Sequence, residues 1–264
     1  MSIITLSRRL YSRGEEIAEK VAEQLGYECL SREVLLEAST EFNVPEIKLL
    51  HAIRDAPSIL ERFTHGKEKY LAYIRVALLE HFQRDNVVYH GLAGHFLVKD
   101  ISHVLKVRIV ADVEDRVQLA MEREGISRDE ALRAIHSSDE ARRKWSLYIT
   151  GVDTNDPSLY HLVIRIRKLS PDDAAAIICH TVKKEQFHTT PASQRAMEDL
   201  LLATRVKAAL VDEYPTVEVE AREGAVQIAL GGARAADQKA VQQIAAQVPG
   251  VKQVTVAATA EAAW

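Results

Sequence analysis

Apolar residues recur along this chain with two periods, and the switches between them mark out its elements. Ile3, Ile4 and Leu6 form a short apolar run that predicts a buried strand. After a polar loop, Ile17, Ala18, Val21, Ala22 and Leu25 recur at helical spacing as far as Gly26, a C-cap. Further strand-like runs at NVVYHG, KVRIVAD and YHLVIRI are separated by helical stretches. That alternation predicts a parallel sheet covered by helices, because a parallel crossover needs a dozen or more residues and a helix supplies them. Between Ser31 and Arg84 the pattern is helical throughout, with Ser31 as a cap, Pro45 in a first turn and Leu71, Ile74, Leu78 and Phe82 in one stripe.

A helix over Asp172 to Lys184 is followed by EQFHTTPASQRA, polar and without periodicity, which reads as a linker over residues 185–197. Beyond it the pattern belongs to a second, smaller α/β unit. Leu200, Leu201, Val206 and Leu210 suit a helix. Val217, Val219 and Ala221, then Val226, Ile228 and Leu230, alternate as two strands around the turn Arg222-Glu223-Gly224. A helix from Ala235 to Val248 and a strand from Gln253 to Ala257 complete the unit.

The chain has 264 residues and a formal net charge of -4, which argues against a dedicated nucleic-acid binder, and it carries no polybasic tail. Cys29 and Cys179 have neither metal-ligand nor disulfide-framework spacing and read as buried thiols of a reducing compartment. Charged residues interrupt every apolar segment before it reaches bilayer-spanning length, and the N-terminal apolar run is too short for a signal peptide, so a cytoplasmic protein without an integral membrane segment is expected.

The strand–loop–helix at the N-terminus is where a phosphate cradle would sit. Such a cradle needs glycines, so that backbone N–H groups converge on the anion, and a lysine for the outer phosphates. Between Ser7 and Glu16 there is one glycine, Gly14, and no lysine. Arg8, Arg9 and Arg13 offer positive charge instead, whereas Ser12 and Glu15 fit an S-x-x-E capping box that would satisfy the helix end internally.

The opening segment IITLSRRLYSRGEEIAEKVAEQLGYECLSREVLLEAS resembles that of the cytidylate kinase-like family, whose members read approximately I-T-I-S-R-x-x-G-S-G-G-x-x-I-A, then L-G, a short strand and S/D-R-E-L-L. NVVYHGLAGHFLVKD, LKVRIVADVEDRV, GISRDEAL with DEARRKW, and DPSLYHLVIRIRKLS follow in the family's order, so that the resemblance covers residues 1 to about 182. It implies a P-loop kinase-like parallel sheet flanked by helices over residues 1–184, with ATP and Mg2+ as donor and a nucleotide as partner. Arg8, Ser12, Arg13, Gly14 and Arg116 would take phosphate, and Asp139, Arg142 and Arg143 would form the lid that closes over the transferring phosphoryl group.

Several positions depart from that pattern. The family's G-S-G-G is Tyr11-Ser12-Arg13-Gly14 here, and the side chains of Tyr11 and Arg13 are expected to fill space that glycine leaves open. The acceptor-side loop has His90, Gly91, Gly94 and His95 where the family has G-R-G, without its arginine. The two histidines fit best as the end of a buried strand, since no further ligand or nucleophile accompanies them. The family's Y-D-L-V-I-N is Tyr160-His161-Leu162-Val163-Ile164-Arg165. Residues 198–260 resemble the BON domain on Asp199, Val206, VEVEAREGAVQIALGG with Gly224 and Gly232, and VPGVKQV with Gly250. That implies a binding or regulatory module with a protein, lipid or small-ligand partner. Together these features favour a nucleotide-binding, kinase-like protein with a degenerate P-loop, weak or inactive as a phosphotransferase and acting through its BON domain. The alternatives are an active nucleoside monophosphate kinase using ATP and a pyrimidine nucleotide, and an interaction protein that binds no nucleotide.

Overall fold

The computed structural model describes residues 2–31, 33–54, 66–91, 94–98, 100–231 and 235–259. In chain order the elements are β1 (Ile3–Arg8), α1 (Gly14–Leu25), β2 (Glu28–Leu30), α2 (Glu33–Glu41), α3 (Glu46–Arg54), α4 (Gly66–Gln83), β3 (Val87–Tyr89), α5 (Gly94–Leu97), β4 (Val104–Ala111), α6 (Val113–Glu124) and α7 (Arg128–Thr150). They continue with β5 (Leu162–Ile166), α8 (Pro171–Val182), α9 (Pro191–Leu210), β6 (Glu218–Arg222), β7 (Ala225–Gly231), α10 (Ala235–Ala246) and β8 (Gln253–Thr259). The chain divides into two compact units, one of Met1–Glu33, Ile53–Ala56 and Arg84–Thr190, the other of Val34–Ala52, Pro57–Gln83 and Pro191–Trp264.

The first unit is built on a parallel sheet of order β2-β3-β1-β4-β5. The alternating apolar positions of its strands explain one face. Ile4 and Leu6 of β1, Leu105, Val107 and Ile109 of β4 and Ile164 of β5 bury against Ile17, Ala18 and Val21 of α1 and Ala174, Ala175 and Ile178 of α8. Ser170 begins α8 with a capping box to Asp173 and Pro171 in the first turn, and Ser127 begins α7 with a capping box to Glu130.

In the second unit a three-stranded sheet of order β6-β7-β8, antiparallel then parallel, packs Val226, Ile228 and Leu230 with Leu202, Val206 and Leu210 of α9 and Val241 and Ala245 of α10. The β6–β7 turn has positive φ at Glu223 (51°) and Gly224 (89°), as a two-residue hairpin requires, and the carboxylate of Asp199 accepts from Glu223 N at 2.7 Å. Gly232 lies outside the described residues.

Two expectations are corrected here. Residues 185–197 are not an irregular linker: a 3-10 turn over Glu185–Phe187 buries Phe187 in the sheet's core, and α9 begins at Pro191. The polar composition hid this because α9 buries only Ser193 and Met197 in its first two turns. In addition, the helical stretch 34–83 falls largely with α9 in the second unit rather than with the sheet it interrupts in sequence. The thiol of Cys29 is pushed up to about 11, chiefly by burial, and Cys179 is buried and free, in keeping with unreactive thiols. Among the described residues no helix is long and apolar enough to cross a membrane.

Candidate active site

The loop from β1 to α1 keeps the backbone of a glycine loop with other residues in it. Tyr11 has φ 57° and Arg13 φ 60°, the left-handed region that glycine enters without steric cost. Their side chains do not fill the concavity of the loop, contrary to expectation. Tyr11 packs against the apolar cluster of α6 and α7 formed by Val117, Ala120, Ala131 and Ile135, while Arg13 lies at the surface with Nη1 3.3 Å from the Glu16 carboxylate. The Ser12–Glu15 capping box is also absent. Arg13 is the N-cap of α1, without a side-chain cap, so Ser12 stands one residue too early; its buried hydroxyl donates to Arg9 O at 2.8 Å. Gly14 is required by close approach, since a Cβ there would lie 2.5 Å from Cβ of Arg8.

Behind this loop stands a cluster of arginines around one carboxylate. Arg116 is fully buried; its Nε donates to Leu10 O at 2.8 Å and its two Nη groups grip Asp139 at 2.7 and 2.9 Å. It thus ties α6, α7 and the first loop together, and its donors are spent on protein rather than presented to a phosphate. Asp139 also lies 3.7 Å from Arg9, whose other Nη donates to Asn155 at 2.7 Å. Arg142 donates to Arg8 O, and burial, followed by the charge of Arg8, pulls its pKa down to about 10. Arg143, by contrast, is half exposed and points to Asp153 at 3.9 Å. Arg123, on the exposed side of α6, does not join the cluster.

The histidine loop after β3 has a packing logic. A Cβ on Gly91 would collide with the Tyr89 hydroxyl, and one on Gly94 would lie 2.5 Å from Tyr89 Cδ1, so both glycines make room for the buried ring. His90 continues β3, with its N–H donated to Leu30 O at 3.0 Å, and burial lowers its pKa to about 4. His95 is pushed down to about 3 by burial and then by Arg108 and Lys106; its Nε2 lies 3.2 Å from Tyr160 Oη. Both imidazoles are neutral near pH 7, and among the described residues no cluster of His, Cys, Asp and Glu is placed to hold a metal ion.

Of the residues singled out from sequence, Arg8, Gly91, Asp139 and Arg142 converge on one cleft, whereas Ser12, Arg13, Gly14, Arg116, Arg143, His90 and Gly94 do not line it. The cleft also takes Ser7, Arg9, His95, Arg108, Asn155 and the aromatic walls Phe96 and Trp145, and leaves a cavity of about 40 Å³. Arg108 was missed, although an arginine inside the apolar run KVRIVAD is itself a signal, because a central strand tolerates a charge only where something answers it. The cleft opens at the carboxyl ends of β1 and β4, on either side of which the crossovers run in opposite directions, the usual place for a ligand in such a sheet.

This is the cleft of an α/β kinase-like domain, and comparison with known proteins gives the family. The chain belongs to the cytidylate kinase-like family, whose model matches residues 3–168. The cytidylate kinase of Thermococcus sibiricus is 40% identical over 93 residues, 35% of this chain and 47% of that one. With the next relatives, from two Pyrococcus species, the match likewise spans about half of the curated protein. A cytidylate kinase of Thermoplasma volcanium is 23% identical over 181 residues, 68% of this chain and 90% of the relative. Among solved structures, an uncharacterized protein from Eubacterium ventriosum superimposes with a TM-score of 0.53 at 20% identity, covering 70% of this chain and 100% of the other, a likeness of fold.

Proposed function

We propose that the first unit binds a nucleoside phosphate in the arginine cleft and transfers phosphate slowly or not at all. The observation that carries the binding is the charge balance: Arg8, Arg9, Arg108 and Arg142 line the cleft, where among the described residues Asp139 is the one carboxylate, and outside it Glu15 stands 3.9 Å from Arg8. Desolvated cations in such excess suit an anion with more than one charge. The residues fit the phosphates of ATP, through Arg8 and the uncapped start of α1. They do not form a protein-built Mg2+ site, because Asp139 is spent on arginines and the Ser12 hydroxyl on Arg9 O. The ion would be carried by phosphate oxygens and water, as Mg2+ commonly is. The first loop lacks two of the family's glycines, the acceptor-side loop lacks its arginine, and the last strand has His161 and Arg165 where the family has an acid and an amide. Since phosphoryl transfer is nearly all positioning and electrostatics, these losses support a slow or silent enzyme.

One observation favours the alternative of an active nucleoside monophosphate kinase. The loop retains glycine-like φ at Tyr11 and Arg13 with both side chains turned away. Thermal shift with CMP, UMP and ATP, with and without Mg2+, followed by a coupled phosphotransfer assay, tests both readings. Stabilisation by a nucleotide with turnover below about 1 per second supports the proposal, turnover of about 1 to 100 per second supports the alternative, and no shift with any nucleotide removes both. We further propose that residues 198–260 act as a BON-like binding or regulatory module. In support, Asp199, Gly224 and Gly250 meet: Asp199 holds the Glu223–Gly224 turn, and Gly224 O accepts from Lys252 N at 2.8 Å.

A further inference from the structure

Arg108 belongs to none of the motifs that mark the cleft, yet it stands there with its charge met by neutral groups. It is 5% exposed and stands on β4 in register with Ser7 of β1 and Val163 of β5. Nη1 donates to Tyr160 Oη at 2.9 Å, Thr154 Oγ1 at 3.2 Å and Ser7 Oγ at 3.4 Å, and Nη2 donates to Asn155 Oδ1 at 2.8 Å. The Tyr160 ring lies 5.3 Å from the guanidinium carbon. All of these partners are neutral, and among the described residues no carboxylate pairs with Arg108. Neutral oxygens fix a guanidinium in direction without cancelling its charge, and a buried charge left so is costly. Asp139 cannot answer it, being shared between Arg116 and Arg9.

We infer that Arg108 is the specificity-determining residue of the cleft, selecting a terminal phosphate monoester in its doubly charged form over a singly charged diester. The inference rests on the reading of the cleft as a nucleoside-phosphate site. A monoester carries its second charge above a pKa of about 6, whereas a diester never acquires one. The groups facing Arg108 keep their charge over that range. His95 of α5 stays neutral because burial holds it at about 3, and Arg142 of α7, at about 10, stays charged, as does Arg9. A change in affinity near pH 6 is therefore the ligand's.

Titration calorimetry on the full chain with CMP, cytidine 3′,5′-cyclic monophosphate and inorganic phosphate tests this, using wild type, Arg108→Gln and Arg108→Lys. Wild type is expected to prefer CMP to the cyclic diester by about tenfold or more, the scale of one charge-assisted hydrogen bond. The preference should vanish in Arg108→Gln and return in part in Arg108→Lys. If Arg108→Gln fails to fold, wild type alone decides, because its affinity for CMP should fall from pH 7 to pH 5 while that for the cyclic diester stays level. An unchanged preference in folded Arg108→Gln, or equal affinity for the two esters with a flat pH profile, overturns the inference and leaves the nucleotide reading standing. Binding of inorganic phosphate that depends on Arg108, with no binding of CMP or ATP, removes the nucleotide reading and with it the monoester preference inferred here, leaving Arg108 as a phosphate-ion ligand. Wild type that binds none of the probes overturns both.

Discussion

At φ 60°, Arg13 occupies a conformation that costs an L side chain about 1–2 kcal/mol and glycine almost nothing. Its ion pair to Glu16 is exposed and worth little. Arg13→Gly should therefore leave stability unchanged or raise it by up to about 1 kcal/mol, the greater freedom of unfolded glycine offsetting part of the relieved strain. Tyr11→Gly relieves similar strain but removes a ring from the α6–α7 cluster, and should destabilise by about 1–3 kcal/mol. Urea denaturation of the two variants checks the opposite signs; clear destabilisation by Arg13→Gly would mean that this side chain does more than sit at the surface. The missing glycines were legible in the sequence. The destination of the side chains was not, since positive φ at 11 and 13 and the start of α1 at Gly14 decide it, and no residue type at those positions announces either.

Among elements, the link between the first loop, α6 and α7 depends on one buried pair. Removing the charge of Asp139 leaves Arg116 buried without its counter-ion, so Asp139→Asn should cost on the order of 3 kcal/mol, measured by thermal or chemical denaturation. The cost should shrink in the double variant with Arg116→Met, because the stranded charge is then gone. The loop between β3 and α5 adds a pH response. His90 and His95 titrate near 4 and 3 in the fold and near 6.5 when unfolded, so the unfolded chain binds more protons between those values. Their contribution is fully present above about pH 6.5 and is lost as the pH falls toward the folded values. Stability measured from pH 7 to pH 4 should fall, and His95→Phe should flatten the slope; an identical slope would mean that His95 titrates normally. Strands β1, β3, β4 and β5 were legible as apolar runs, whereas β2, three residues long, is too short to show a period and followed only from the family resemblance. Asp139 and Arg142 were singled out through the family resemblance of DEARRKW, but the partner that makes Asp139 structural, Arg116, is 23 residues away and was read as a phosphate ligand.

At the scale of the whole chain, the compact units change over at Thr190–Pro191, and a cut there is expected not to separate two self-sufficient pieces. Helix α4, ahead of that point, belongs to the same compact unit as α9, after it. The two helices pack together, with Glu80 to Arg205 at 2.5 Å, the carbonyl of Gln83 accepting from Gln194 at 3.1 Å and Lys69 to Asp212 at 2.6 Å. Which helix covers which is settled by long-range packing, and a window of sequence around either helix carries no trace of it. The C-terminal piece has a core of its own in Leu202, Val206, Leu210, Val226, Ile228 and Val241, while Met197, Leu201 and Ala208 of α9 are buried outside that core. Residues 191–264 expressed alone should therefore fold with native-like circular dichroism but expose an apolar strip on α9. Residues 1–190 should bind a hydrophobic dye, melt earlier than the intact chain and regain stability when the C-terminal piece is added in trans. If 1–190 instead melts as the full chain does and ignores the added piece, α9 contributes nothing to α4, and the boundary read from the sequence is also the boundary of folding.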